Sequence, residues 1–366
     1  MIGISIVINN HNYGRFLRDA IESALAQVYS AVEVIVVDDG STDNSREIIQ
    51  EYGERLIPVF KENGGQASAL NAGFATSHGE VIIFLDADDV LMPSASRNVA
   101  EIFQSNPGIV RIQYRMQVVD EQGIYTGTVK PAPHIPVPYG DVRRIALTFP
   151  FDMPWLPTSG NAFATEALRQ IMPIPEKSYG RVGADWYLSH LTSLLGPVFF
   201  LDRIEACYRV HRSNHFELSN PTLDVDHIRQ TILYCRTTNQ YLQQYADRFG
   251  LTYRPGEILS VSYIANRMAS LRLEVEHHPL FGDTRWRLVK LGTVAAMRRF
   301  DVSMGLKFAF ILWFIAMALV PKSLARLFAR QFFFPEEHKR LNLLLGKLHL
   351  GSKISSTRAH APGIQE

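Results

Sequence analysis

Three short apolar runs, "IGISIVI" at 2–8, "VEVIVV" at 32–37 and "EVIIFL" at 80–85, each end on polar side chains within a residue or two. Such a run has neither the 3.6-residue stripe of a surface helix nor the alternation of a half-solvated strand. It fits a strand covered on both faces, as in a parallel sheet. Between these runs, and around a further strand-like stretch "RLIPVF", lie "GRFLRDAIESALAQ", "NSREIIQEYG" and "SALNAGFATS", which read as helices. The strand–helix rhythm over residues 1 to about 115 predicts an α/β fold, a single mostly parallel, Rossmann-like sheet with right-handed crossovers. Ligands in such sheets bind beyond the C-terminal ends of the strands. That rim would collect Asn9, Asn10, His11 and Asn12, then Asp38 and Asp39, then Asn63, Gly64 and Gly65, and finally Asp86, Asp88 and Asp89.

The last group is the most demanding, because three carboxylates within four positions repel one another. Protonation, basic neighbours or a bound cation would relieve them. No Lys or Arg stands between Lys61 and Arg97. A hard divalent cation that takes phosphate oxygens suits one or two such carboxylates; a solvated Asp-rich turn is the plain alternative.

Of the 366 residues 46% are hydrophobic and 20% charged, with a net charge of +1, enough for two domains and no global pull toward nucleic acid. Two cysteines, Cys207 and Cys235, make neither a disulfide framework nor a paired zinc spacing. The N-terminus lacks the basic start and continuous apolar stretch of a signal peptide, which predicts a cytoplasmic N-terminal domain. From about 110 to 215 the pattern is mixed: strands at "VRIQYRMQVVD" and "PVFFLDRIEACYRVH", a Pro-rich connection, a tight turn into a short helix at "TSGNAFA", and a helix at "ADWYLSHLTSLLG". Beyond residue 221 the chain reads as helical. Residues 308–320, "FAFILWFIAMALV", are thirteen apolar positions, short of the roughly 20 that a spanning helix needs. The surrounding stretch 285–334 has nine Lys or Arg against one acid, Asp301. This predicts an interfacial segment drawn to an anionic membrane surface; a buried core helix with a basic face is the alternative.

The motifs "ISIVINNHNYGRFLRDAIESALAQ", "VEVIVVDDGSTDNSREII", "ENGGQASALNAGF" and "GEVIIFLDADDVLMP" resemble, in that order and spacing, the family 2 glycosyltransferases with the glycosyltransferase A fold. The resemblance spans about residues 2–215. It implies a catalytic domain at 1–220, with a nucleotide-binding half at 1–115 and an acceptor and catalytic half at 116–220, followed by a helical C-terminal region at 221–366. It places Asp39 on the nucleobase, and His11 where the family has an aromatic over the base, with Tyr13 displaced by two. Asn71 would lie near ribose and base, and Asp86 near the ribose. Asp88 would bind a divalent metal, Mg or Mn, that bridges the diphosphate. In "TSGNAFA", Gly160 matches the glycine loop along the donor sugar. Asp185 in "GADWYLSHL" matches the general base, with Ala184 where the family commonly has Glu. "CYRVHRSNHF" matches a Tyr-Arg-x-His ending, with Arg209 toward the diphosphate, His211 toward the metal, and His215 incidental.

The implied reaction is inverting transfer from a nucleoside diphosphate sugar, UDP type favoured, to the hydroxyl of a glycan or lipid-linked acceptor. It would serve cell-envelope or extracellular polysaccharide synthesis at the inner face of the membrane. Residue by residue the plain readings stay open: Asp38, Asp43 or Asp89 capping a following helix, Asp185 at a helix N-terminus, Arg209 a solvated strand-end cation. A sugar nucleotidyltransferase would need a Gly- and Arg-rich loop after the first strand, and a dinucleotide oxidoreductase a Gly-x-Gly-x-x-Gly; "VINNHNYGRFL" has neither. A catalytically silent nucleotide-sugar-binding protein is kept open by Ala184.

Overall fold

The computed structural model describes residues 1–180, 183–211, 223–252 and 257–334. These fall into two compact units: the described residues up to 211 with 233–258, and 223–232 with 259–334.

The first unit is built on nine strands, β1 (Ile4–Asn10), β2 (Val32–Asp39), β3 (Ile57–Lys61), β4 (Val81–Asp86), β5 (Val90–Leu91), β6 (Arg111–Val119), β7 (Tyr125–Lys130), β8 (Asn161–Ala164) and β9 (Val198–Arg209). They form one sheet in the order β3-β2-β1-β4-β8-β6-β9-β5, with β7 paired to β6 off that path. From the pairings, six strands run one way, and β5, β7 and β8 oppose them. Its helices are α1 (Gly14–Leu25), α2 (Ser45–Glu51), α3 (Gln66–Thr76), α4 (Ala95–Ser105), α5 (Arg143–Thr148), α6 (Thr165–Ile171), α7 (Glu176–Tyr179), α8 (Ala184–Leu195) and, from residue 233 on, α9 (Val225–Arg248).

The unalternated runs are explained by two cores. On β1, Ile4, Ile6 and Ile8 join one core with Leu17 and Ile21 of α1, while Val7 joins another with Leu70 of α3. On β4, Val81, Ile83 and Leu85 serve the first core, and Ile82 and Phe84 the second. Each buried aliphatic side chain contributes about 1.5–3 kcal/mol on either face, which keeps these strands apolar up to their exits except at Ser5, whose buried hydroxyl donates to Glu33 Oε1. Parallel register holds the exits level: Asn9 pairs with Asp86 across β1 and β4, and Asn10 with Asp38 across β1 and β2.

One local expectation is corrected. "TSGNAFA" is a single 3-10 turn, Thr158–Gly160, followed by β8, not by a short helix. β8 lies between β4 and β6, with Ala162 in the first core and Phe163 in the second. Four residues are too few for a period of two to show in the sequence.

The second unit is helical: α10 (Val261–Leu273), α11 (Arg285–Arg298), α12 (Met304–Leu319) and α13 (Lys322–Phe333), with the first turns of α9. Ser260, Thr284 and Ser303 cap α10, α11 and α12, each side-chain oxygen accepting an N–H three residues on. The apolar run of residues 308–320 lies in α12 and the residue after it. Among the described residues no helix is long and apolar enough to cross a membrane.

Candidate active site

The strand exits of the first unit surround a cavity of about 810 Å³. Among the side chains singled out in the sequence, His11, Asp39, Asp86, Asp88 and Asp185 line it, together with Asn9, Asn10, Asn63, Gly65 and Asp89.

At the β2 exit, Asp39 is nearly fully enclosed. Its Oδ1 accepts from Lys61 Nζ at 2.5 Å and from Gly64 N at 2.9 Å, and its Oδ2 from Gly65 N at 2.7 Å. The carboxylate therefore folds the loop after β3 back onto β2. The turn requires glycine at 65, where φ is +83° and a Cβ would stand 1.5 Å from Gly180 O. Beside it, His11 Nδ1 lies 2.8 Å from Asp39 O, and Asn63 Nδ2 lies 3.0 Å from His11 Nε2, so the imidazole is held at the cavity wall. Asp43 accepts from Gly14 N at 2.9 Å and Ser45 N at 3.0 Å, the first residues of α1 and of α2, the helix that follows it.

The β4 exit is different. Asp86 Oδ1 accepts from Asn9 Nδ2 at 2.9 Å, and its backbone N–H donates to Ser159 Oγ at 3.0 Å, but no cation pairs with it among the described residues. Burial, and next the charge of Asp88, push its pKa up to about 7. Asp89 is pushed well above the usual carboxylate range by burial and by Asp88 and Asp86. Asp88 points its Oδ2 at His211 Nε2, 2.9 Å away. Tyr13 lies in this region too, its ring 5.5 Å from that of His211, and burial with the Asp88 and Asp86 charges raises its hydroxyl pKa. Tyr13 thus flanks the carboxylates, whereas His11 flanks Asp39.

Asp185 enters from the second position of α8, after Gly183, whose φ of +91° starts the helix. Its Oδ1 accepts from Trp186 N at 2.9 Å. Burial pushes its pKa up to about 6. Trp186 and Trp155 also line the cavity. Trp186 stacks on Phe151 with centroids 5.6 Å apart at 22°, and Trp155 packs on His190 at 4.7 Å.

Four of the sequence-predicted residues are not brought to the cavity lining: Asn71, Gly160, Arg209 and His211, whose side chain is fully buried against Asp88. Asn71 grips the segment before α7 instead: its Nδ2 donates to Ile174 O at 2.9 Å and Glu176 Oε1 at 3.1 Å, and its Oδ1 accepts from Ile174 N at 2.7 Å. Gly160 is packed against the sheet, where a Cβ would meet Met116 Sδ at 3.0 Å and Leu156 Cβ at 3.1 Å. Arg209 is 4% exposed and braces the aspartate turn from behind, with N to Asp89 Oδ1 at 3.0 Å, Nε to Asp88 O at 2.9 Å and Nη2 to Asp19 Oδ2 at 2.7 Å. His215 lies outside the described residues. Conversely, Gln66, Lys130, Trp155, Trp186 and Tyr208 line the cavity without having been singled out. The only signal for Trp186 was its place next to Asp185.

Among the described residues no group of three or more His, Cys, Asp or Glu is arranged to hold a metal ion. Asp88 and His211 nonetheless offer an oxygen and an imidazole nitrogen 2.9 Å apart, beside carboxyls whose raised pKa values a cation would relieve. That donor set fits a cation that draws its remaining ligands from phosphate and water.

The sequence profile of glycosyl transferase family 2 matches residues 5–153, a span that ends before Asp185, Arg209 and His211. An uncharacterized glycosyltransferase of Nostoc sp. is 35% identical over 252 residues, which are 68% of this chain and 76% of that protein. One of Rickettsia prowazekii is 37% identical over 131 residues, 35% of this chain and 41% of that protein. Among solved structures, S. aureus TarS residues 1–349 in complex with UDP superposes with a TM-score of 0.51 at 16% identity, covering 91% of each chain. The same fragment with UDP-GlcNAc gives 0.51 at 16%, covering 91% of this chain and 92% of that one. At that identity the likeness concerns the fold.

Proposed function

The chain belongs to glycosyl transferase family 2 and is a glycosyltransferase, and on that premise we propose that Asp185 is the general base of an inverting transfer from a nucleoside diphosphate sugar to an acceptor hydroxyl. The observation that carries this reading is that Asp185 lines the same cavity as the Asp86–Asp89 turn while burial holds its carboxyl at about 6. A base with that pKa is ionised at neutral pH yet basic enough to take a proton from an attacking hydroxyl. One step in line at the anomeric carbon inverts it, and no covalent intermediate is needed.

The nucleotide end would lie at the β2 exit. Three of the roughly four lone-pair positions of Asp39 are taken, which leaves one for a nucleobase donor, and His11 provides a flat ring beside it. A UDP donor is favoured because TarS, which shares the fold, has been solved with UDP and with UDP-GlcNAc. Asp88 and His211 would hold Mg or Mn, which when bound offsets the charge that grows on the departing diphosphate. Arg209 then acts by fixing the Asp88 carbonyl and the Asp89 carboxylate, and Trp155 and Trp186 supply apolar faces for the acceptor beside Asp185. A glycan or lipid-linked acceptor, and a role in envelope or extracellular polysaccharide synthesis at the cytoplasmic face of a membrane, agree with the basic, apolar second unit.

Asp185→Asn tests the reading: donor affinity should stay at the parent level while transfer falls by roughly 10²–10⁴-fold. The parent's rate should fall as pH drops through about 6, because the protonated carboxyl cannot accept a proton. Nucleoside diphosphate release and donor titration measure both. A variant that transfers at near-parent rate would return Asp185 to a helix-terminus role.

A further inference from the structure

Away from the catalytic cavity, the second unit holds a cleft of about 790 Å³ between the end of α10, the turn into α11 and the turn from α12 into α13. Arg272, Arg285 and Lys322 converge on it. Arg272 is fixed by donating Nε to Met317 O at 2.7 Å and Nη2 to Val320 O. Arg285 and Lys322 are exposed and open α11 and α13, where the helix dipole favours an acidic side chain; neither helix has one in its first turn. Asp283, the carboxylate in the wall, is taken by Arg267 Nε at 2.9 Å and by His278 Nε2 at 3.1 Å. Burial alone would raise its pKa, but these partners hold it down at about 2. Burial, and next the charge of Arg285, push the Arg272 pKa below its ordinary range.

Two exposed apolar side chains, Val275 and Leu319, line the cleft, each 64% exposed; Phe281, Trp286 and Leu324, within two residues in sequence of its lining residues Asp283, Arg285 and Lys322, are exposed as well, and eleven of the eighteen large apolar side chains exposed among the described residues belong to this unit. An uncompensated positive cleft bordered by exposed aromatic and aliphatic side chains complements a surface that presents anionic groups above hydrocarbon. A free phosphate would account for the cations but not for the exposed apolar side chains.

We infer that this cleft receives the phosphate of an anionic phospholipid while Trp286, Leu319 and Leu324 enter the bilayer interface beside it. The inference rests on the membrane reading proposed above and gives it a specific site.

The test uses the full chain, sedimented with vesicles of phosphatidylcholine with or without phosphatidylglycerol. Arg285→Gln/Lys322→Gln should weaken partitioning onto the anionic vesicles about 30-fold at low salt. Arg298→Gln/Arg330→Gln, the same charge change in the last turns of the same two helices, should cost less than about threefold. Nucleoside diphosphate release without vesicles should be unchanged in both pairs. Equal losses in the two pairs would replace the cleft with diffuse charge attraction and overturn the inference, as would parent-like binding of the first pair. If the parent itself ignored both vesicle types, the membrane reading would fall with it, while the assignment of Asp185 would stand. Thermal stabilisation by inorganic phosphate in a parent that ignores vesicles would mark a soluble-anion site instead.

Discussion

Two aspartates leave the parallel strands on either side of β1 onto one rim, and their situations are opposite. Asp39, at the β2 exit, is surrounded by an ammonium and two backbone N–H groups, all aimed at its oxygens. Asp86, at the β4 exit, has side-chain amides from Asn9 at 2.9 Å and from Gln66 at 3.4 Å, and two further aspartates close by in sequence, and its carboxyl is raised to about 7. The first carboxylate organises the protein around itself. The second is held in a place where its charge is costly, and such places are where binding energy for a cation or a polar ligand can be recovered. Proximity to the strand end is therefore not what decides how much of a carboxylate is left for a ligand; the number of donors that the fold supplies is, and it leaves Asp39 a single acceptor position.

Removing the better-satisfied group should have the larger effect on folding. Asp39→Ala leaves Lys61 and the N–H groups of Gly64 and Gly65 without their acceptor in an enclosed site, and should cost about 3 kcal/mol in urea unfolding. Donor binding should fail as well, because the loop after β3 loses its anchor. A loss below about 1 kcal/mol would mean that the loop holds its shape without Asp39, and the contrast between the two exits would collapse.

Asp86→Asn should go the other way. A carboxyl whose folded pKa is raised gives stability at low pH that is lost as pH rises through the folded value, here from about 4 to about 7. The amide is free of that loss. At pH 8 the variant should be more stable than the parent by about 2 kcal/mol, less than the full shift because Asp86 is only half-buried, and the gain should vanish toward pH 4. Donor binding should nevertheless weaken. A variant no more stable than the parent at pH 8 would show that Asp86 is not under electrostatic strain.

What the sequence revealed divides along the same line. The strand exits were legible because each motif is local: an apolar run covered on both faces must turn polar where it leaves the sheet, so Asp39, Asp86 and Asp88 could be found by reading forward. The partners that decide their chemistry were not. Lys61 and Gly65 reach Asp39 from 22 and 26 residues away, and Arg209 and His211 reach the Asp88–Asp89 turn from 120 or more. The absence of Lys or Arg between Lys61 and Arg97 therefore said nothing about Arg209, which arrives on β9. Trp155 sat in a Pro-rich stretch with no periodicity, and β8 was too short to have any.

The smallest effect expected concerns Asn71, where local reading and tertiary contact point to different roles. Its position one turn into α3, after a glycine-rich loop, suggested the nucleotide. The folded chain gives its amide to Ile174 and Glu176, and all three of its hydrogen bonds join α3 to the segment that leads into α7. That segment runs on to Gly180, whose carbonyl oxygen faces Gly65 in the loop held by Asp39. Asn71→Ala should therefore lower stability by about 1 kcal/mol, the net worth of one or two such bonds at a partly solvated site, and shift donor affinity by less than about threefold through the loop alone. Calorimetric donor titration beside urea unfolding separates the alternatives. A tenfold loss of donor affinity with unchanged stability would place Asn71 on the nucleotide, and would mean that the cavity reaches past Ala69 along α3 when donor is bound.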